Sequence, residues 1–307
     1  MMWLCFVIPL AVFFAITFGA YLYTFARPGK NHREVAEMKA IRYEDLYPDI
    51  VDNVKKVSMA EYEDAQTTSY DGLKLRGKLK FISSKKPVII FFHGYKSSPF
   101  RDFSGGYGYS EKRGYNALLV FQRAHGESDG KSITFGIKES YDVISWVKWC
   151  REHFGENVKI LLMGISMGAS TVVMASGRDT LENVKGIVAD CGYSSPKEIL
   201  CHVIKRRGLP LRISYFFVRL GAKLFAGFDP EEYSSKEAVR FTNVPILLIH
   251  GKKDGFVPYE MSEKVRRENP EKCTYLYVDG ANHGLSYYEK KEDYENALDE
   301  FLKNIEF

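Results

Sequence analysis

The chain of 307 residues predicts an α/β fold built on a doubly wound, mostly parallel sheet. Three observations carry that expectation. Six short continuous apolar runs recur along the chain: Val88–Phe92, Ala117–Phe121, Ile160–Met163, Gly186–Ala189, Ile246–Ile249 and Thr274–Val278. Runs of this length mark strands buried on both faces, as in a parallel sheet. Helical patterns fill the intervals, over Ile137–His153, Ser166–Ser176, Tyr259–Arg267 and Tyr287–Lys303. Strand and helix in alternation imply βαβ units. Ahead of the runs, Gln66–Tyr70 and Leu73–Leu79 alternate apolar with polar residues about Asp71-Gly72, the signature of a half-exposed hairpin at a sheet edge.

Taken in order, the first element is apolar. No charged side chain occurs from Met1 to Ala26, a stretch longer than the ~20 residues a helix needs to cross a bilayer. A cleavable signal would carry an early basic residue and a shorter apolar core, so residues 1–27 read as an uncleaved transmembrane anchor. Tyr21, Tyr23 and Phe25 would sit near one interface. Arg27, Lys30 and Arg33 follow the span and none precedes it, which places the rest of a single-pass chain in the cytoplasm. Residues 28–65 read as a linker or helical lead-in, broken at Tyr47-Pro48-Asp49. Residues 66–307 read as the main folded domain. Within it, about 193–241 breaks the strand–helix rhythm with more residues than a crossover helix requires, and reads as a helical cap over the sheet's carboxyl edge.

Bulk composition excludes several classes. Lys plus Arg total 43 against 39 acidic residues, a net charge of +4 with no basic tail, so nucleic acid is not an expected partner. The five cysteines, Cys5, Cys150, Cys191, Cys201 and Cys273, form no Cys-x-x-Cys pair, and a disulfide framework or zinc site is not expected. Nothing sets an oligomeric state.

In a doubly wound sheet the ligand site lies beyond the carboxyl ends of the strands, and the reactive residues follow the runs directly. After Ile160–Met163 comes Gly164-Ile165-Ser166-Met167-Gly168, a Gly-x-Ser-x-Gly between strand and helix. Such a corner lifts the serine hydroxyl clear of the sheet. Serine needs a base. His283, in the Gly-flanked loop after the last run, is best placed among seven histidines. The base needs an orienting carboxylate. Asp254 follows the penultimate run, and Asp190 is the rival acid on the same edge. An oxyanion hole needs two backbone N–H donors. Met167 supplies one, and Tyr95, in the His93-Gly94-Tyr95 turn after Val88–Phe92, supplies the other. His93 and Gly94 shape that turn. No metal or organic cofactor is required by this chemistry.

From Gln66 onward the sequence resembles the α/β-hydrolase superfamily. The likeness rests on His93-Gly94, the Arg123-Ala124-His125-Gly126-Glu127-Ser128 loop, the Ser166 corner, the Asp254 turn and the Asn282-His283-Gly284 loop. The anchor, the cap and Ala189–Ser195 are similar to an anchored bacterial branch near the Bem46-like and depalmitoylase-like hydrolases. The resemblance implies an eight-stranded sheet, a Ser166–His283–Asp254 triad and esterase or thioesterase action on a small-molecule ester or acylated substrate. It also implies that the Arg123–Ser128 loop buttresses the oxyanion side, with His125 structural. A peptidase or acyltransferase on the same triad is the alternative, and a non-catalytic tethered binding protein the remote one.

Overall fold

The computed structural model describes residues 4–28, 47, 49–178 and 181–307. Half of the expected 28–65 lead-in, residues 29–46 and 48, lies outside them. The first element is helix α1 (Leu4–Thr24), and α2 (Asp49–Met59) follows. Strands β1 (Glu63–Thr68) and β2 (Lys74–Lys80) form the hairpin about Asp71-Gly72. Then come β3 (Val88–Phe92), α3 (Pro99–Asp102), α4 (Ser104–Arg113), β4 (Asn116–Phe121), α5 (Glu139–Phe154), β5 (Ile160–Ile165) and α6 (Met167–Ser176). After β6 (Val184–Asp190) lie α7 (Pro196–Arg206), α8 (Leu211–Gly221), a π-helical turn (Ala222–Ala226) and α9 (Ser235–Val239). The chain closes with β7 (Ile246–Gly251), α10 (Glu260–Glu268), β8 (Cys273–Val278), α11 (Ser286–Glu289) and α12 (Lys291–Asn304).

The eight strands form one sheet in the order β1-β2-β4-β3-β5-β6-β7-β8. β1 and β2 run antiparallel to their neighbours, and β3 to β8 are parallel. All residues of β3, β4 and β7 are buried, which is why those strands read as unbroken apolar runs. One apolar cluster includes Leu79, Trp146, Ile160 and Val172, and another includes Phe91, Met163, Ile249 and Phe301.

Two expectations need correction, and one crossover holds helices that the sequence pattern does not show. Thr274–Val278 forms the edge strand β8 rather than a strand buried on both faces, and Tyr275 is exposed there because only β7 pairs with it. The helix expected over Tyr287–Lys303 is two helices. Lys290 leaves the helical region (φ −141°, ψ 65°), and its carbonyl accepts from the Tyr294 N–H to start α12. The β3–β4 crossover carries α3 and α4, which have too few apolar positions to show a period.

The window Val7–Thr24 of α1 is long and apolar enough to cross a membrane. Its carboxyl half packs on the folded chain. Phe13 meets Phe217 with ring centroids 5.4 Å apart, and Phe18 meets Phe225 at 5.1 Å. Gly221 permits the approach, since a Cβ there would stand 3.0 Å from the Thr17 carbonyl oxygen. Phe25, expected at a membrane interface, is fully buried between Phe135 and Phe228. Beyond it the Arg27 guanidinium donates to the carbonyls of Ser128 (2.9 Å) and Gly126 (2.6 Å).

Candidate active site

The carboxyl ends of β3, β5, β7 and β8 bring the site together. At the end of β5 the chain turns so sharply that Ser166 takes φ 56°, ψ −115°, a strained conformation for a residue with a Cβ. Its N–H donates to the Asp190 carbonyl at 2.8 Å, which clamps the corner to β6. A Cβ on Gly168 would lie 1.8 Å from the Phe92 carbonyl oxygen, and one on Gly164 2.3 Å from that of Gly168. The corner therefore accepts only glycine at these two positions. α6 starts immediately after Ser166, so the positive end of its dipole faces the hydroxyl.

His283 Nε2 lies 3.0 Å from Ser166 Oγ, and His283 Nδ1 lies 2.7 Å from Asp254 Oδ2. Asp254 is buried, and all its acceptor sites face donors. Oδ1 accepts from the Phe256 and Val257 N–H groups, both at 2.8 Å. Oδ2 faces His283 and also His250 Nε2 at 3.2 Å. Burial alone would raise this carboxyl, but the hydrogen bonds from His250 and His283 outweigh it and hold it far below the usual carboxylate range. Asn282 joins the two loops, its Oδ1 accepting from the Gly255 N–H at 3.1 Å and the His283 N–H at 2.8 Å.

Asp190, the rival acid, makes no hydrogen bond to His283. Ser286 Oγ donates to it at 3.3 Å, and burial pushes its carboxyl up to about 6. His250 was not singled out from the sequence. Its Nε2 faces the Val257 carbonyl (2.9 Å) and Asp254, both acceptors, so that nitrogen carries the proton. Nδ1 meets Ser262 Oγ at 2.7 Å. The signal available was its position, four residues before Asp254 at the end of an apolar run.

Tyr95 and Met167 flank Ser166. The Met167 N–H heads α6, where no helical carbonyl reaches it. The Tyr95 turn is held from below. His125 Nε2 accepts from the Lys96 N–H at 3.0 Å, and its Nδ1 donates to the Arg123 carbonyl at 2.9 Å. His93 Nδ1 donates to the Gly94 carbonyl at 2.8 Å. Burial lowers both imidazoles and keeps them neutral. Arg123, itself buried, bridges Asp71 and Asp142. The same turn grips the end of α1: the Tyr95 hydroxyl donates to the Thr24 carbonyl at 2.7 Å, and Lys96 Nζ to that of Tyr23 at 2.9 Å.

Two cavities meet at Ser166. One, of about 710 Å³, is bounded by Ile16 and Ala20 of α1, Val203 of α7, Phe217 of α8, Tyr193 and Val257. The other, of about 460 Å³, is mixed, with Ser97, Arg101, Asp102, Arg206, Asn282 and His283 beside Ile50, Phe256 and Leu285. Among the described residues, Cys191, Asp254 and His283 also converge, with ligand atoms within 4.8 Å. Burial pushes the Cys191 thiol up, and both His283 nitrogens are engaged, so this trio is a poor metal site by its donor chemistry.

A mostly parallel eight-stranded sheet with a serine at a strained strand–helix corner defines an α/β-hydrolase. Residues 133–305, more than half of the chain, match the prolyl oligopeptidase family, and the chain belongs to that family. Among curated relatives it is 28% identical to the uncharacterized protein YqkD of Bacillus subtilis (strain 168) over 198 residues. That match covers 62% of this chain and 63% of YqkD, less than two thirds of the relative. It is 26% identical to the uncharacterized protein YfhR of Escherichia coli (strain K12), covering 81% of this chain and 84% of the relative. Among solved structures, an esterase from Pyrococcus furiosus superposes with a TM-score of 0.65 at 28% identity, over 81% of this chain and 93% of the esterase.

Proposed function

We propose that the protein is a membrane-anchored serine hydrolase that cleaves carboxylic esters or thioesters. The observation that carries this reading is the unbroken line from Ser166 Oγ to His283 Nε2 at 3.0 Å, and from His283 Nδ1 to Asp254 Oδ2 at 2.7 Å. Ser166 Oγ attacks the acyl carbonyl while His283 Nε2 takes its proton. Asp254 holds His283 in the tautomer that leaves Nε2 free to accept. The N–H groups of Tyr95 and Met167 take the oxyanion. The tetrahedral adduct collapses, His283 returns the proton to the departing alcohol or thiol, and water repeats the sequence on the acyl-enzyme.

Esters rather than peptides are favoured by the 710 Å³ cavity, whose walls offer aliphatic and aromatic side chains to an acyl group. The Pyrococcus furiosus neighbour is an esterase, which supports this reading. Membership of the prolyl oligopeptidase family favours peptide cleavage as the second reading. α1 serves as the anchor, with the hydrolase on the side of Arg27. A fluorophosphonate probe tests the chemistry. Wild type should be labelled and Ser166→Ala should not. Equal labelling of the two overturns the assignment. A panel of acyl esters, acyl thioesters and peptides then separates the two readings.

A further inference from the structure

The anchor does more than tether. Ile16, Ala20, Tyr23 and Thr24 of α1 line the apolar cavity that ends at Ser166. From Thr24 back to Ile16 is eight residues, so the cavity follows α1 for about 12 Å at the ordinary helical rise. One leaflet of a bilayer's hydrocarbon core is about 15 Å deep. The mouth of the cavity is apolar. Ile16, Leu209 and Ile213 line it and are each about half or more exposed, at 48%, 50% and 62%.

α8 must share the depth of α1. A span needs about 20 residues, and α1 has 21. A span drawn from α1 therefore takes in most of its carboxyl half, where Phe217, Gly221 and Phe225 pack. One flank of α8 and the π turn is apolar, with Ile213, Phe216 and Leu224 exposed, while the other carries Arg212, Arg219 and Lys223, the last two paired with Asp229. The element is therefore amphipathic, and only its apolar flank faces the acyl chains. At the interfacial end the chemistry changes. Lys205, Arg206 and Arg207 crowd the α7–α8 corner, and the Arg207 guanidinium lies 5.0 Å from the centre of the Tyr23 ring. Cations at that level meet lipid phosphates.

We propose that α8 and the π turn lie in the leaflet beside α1, and that the substrate is a long-chain acyl ester of a small polar alcohol, resident in that leaflet, whose chain enters the cavity from the lipid along α1. This rests on the serine hydrolase reading above. The acyl chain occupies the 710 Å³ cavity, the carbonyl meets Ser166, and the headgroup leaves through the 460 Å³ cavity, the more polar of the two.

The test uses the full chain in mixed phosphatidylcholine–phosphatidylglycerol vesicles, with p-nitrophenyl laurate and butyrate as probes. Ile16→Trp narrows the cavity from the α1 wall. It should lower the laurate-to-butyrate ratio of kcat/KM by about tenfold, roughly the worth of two buried methylenes. Phe217→Ala widens the cavity and should raise the ratio. Misfolding lowers both rates together, and fluorophosphonate labelling counts the intact sites. An unchanged ratio in both variants overturns the proposal. So does a Phe216→Trp indole that mid-chain brominated phosphatidylcholine fails to quench beyond wild type, or N-terminal sequencing that finds α1 removed. Faster turnover of a water-soluble acylated peptide than of a vesicle-borne lysophospholipid overturns the substrate class. Undiminished hydrolysis by Ser166→Ala, by contrast, sinks the hydrolase reading itself.

Discussion

Replacing Asp254 by asparagine tests the triad through its hydrogen-bond geometry. Four donors converge on this carboxylate: two backbone N–H groups on Oδ1, and the His283 and His250 rings on Oδ2. An amide has one accepting end and one donating end. If its oxygen faces the Phe256 and Val257 N–H groups, its NH2 faces His283 Nδ1. That nitrogen must then accept, so the imidazole proton moves to Nε2 and points at Ser166. His283 is then unable to take the serine's proton. The opposite flip sets the NH2 against two backbone donors at 2.8 Å and loses both bonds. The first orientation loses only the 3.2 Å bond from His250, whose Nε2–H keeps the Val257 carbonyl at 2.9 Å, so it prevails, with the fold intact and the base in the wrong tautomer. Inversions of this kind cost about 10⁴ in rate, equivalent to about 5.4 kcal/mol of barrier. The assay is kcat/KM on p-nitrophenyl butyrate together with the second-order rate of fluorophosphonate labelling, with circular dichroism to verify folding. A folded Asp254→Asn protein within tenfold of wild type, while Ser166→Ala is inactive, would refute this account of Asp254.

Further predictions follow from other contacts. Gly168→Ala forces a Cβ to 1.8 Å from the Phe92 carbonyl oxygen, so labelling should vanish and thermal melts should show a loss of about 4 kcal/mol or more. Burial raises the Asp190 carboxyl from 3.8 to about 6. The folded state thus holds this proton more tightly than the unfolded chain, and its contribution is complete below pH ~4 and lost as pH rises to ~6, about 3 kcal/mol in all. Asp190→Asn lacks that loss. Its melting temperature relative to wild type should therefore rise by roughly 6 °C between pH 4 and pH 7, and a pH-independent difference would contradict the assignment. Removing residues 1–27 strips Phe25 from between Phe135 and Phe228, a change on the scale of a buried Phe→Ala at about 3–5 kcal/mol. A fragment melting with the full chain would show that α1 adds nothing to the fold.

The central strands were legible because a strand covered on both faces has no reason to carry a polar residue. β3 shows this throughout, and β4 and β7 show it apart from Asn116 at the start of one and His250 near the end of the other, both hydrogen-bonded. The turn residues were legible for a different reason: at Gly164 and Gly168 nothing else fits, so the backbone demand is written directly in the sequence. β8 misled because an edge strand of tyrosines, Tyr275 and Tyr277, is as apolar in sequence as a central one. α4 escaped because its buried positions are Ser, Gly and Tyr, and α3 because it is a single turn of four residues. His250 escaped because its relation to Asp254 exists only once the loop after β7 folds back, bringing the Val257 carbonyl to the same ring nitrogen.

The same limit explains why the apolar N-terminus read as separable from the hydrolase. A helix that is apolar all round has no face that its sequence marks for protein rather than lipid. Phe18 and Tyr21 pack on Phe225, while Leu10, Phe14 and Leu22 stay exposed, and nothing in residue type distinguishes the two sets. What separates them is the partner. Gly221 lets α8 approach the Thr17 carbonyl, and Tyr95 and Lys96 find the last carbonyls of α1, which no helical N–H can reach. Those two donors belong to the turn that carries a proposed oxyanion N–H. The helix end thus sits one side chain from the proposed reaction centre, and a shift of α1 would be transmitted to this turn through the 2.7 Å bond from Tyr95 and the 2.9 Å bond from Lys96.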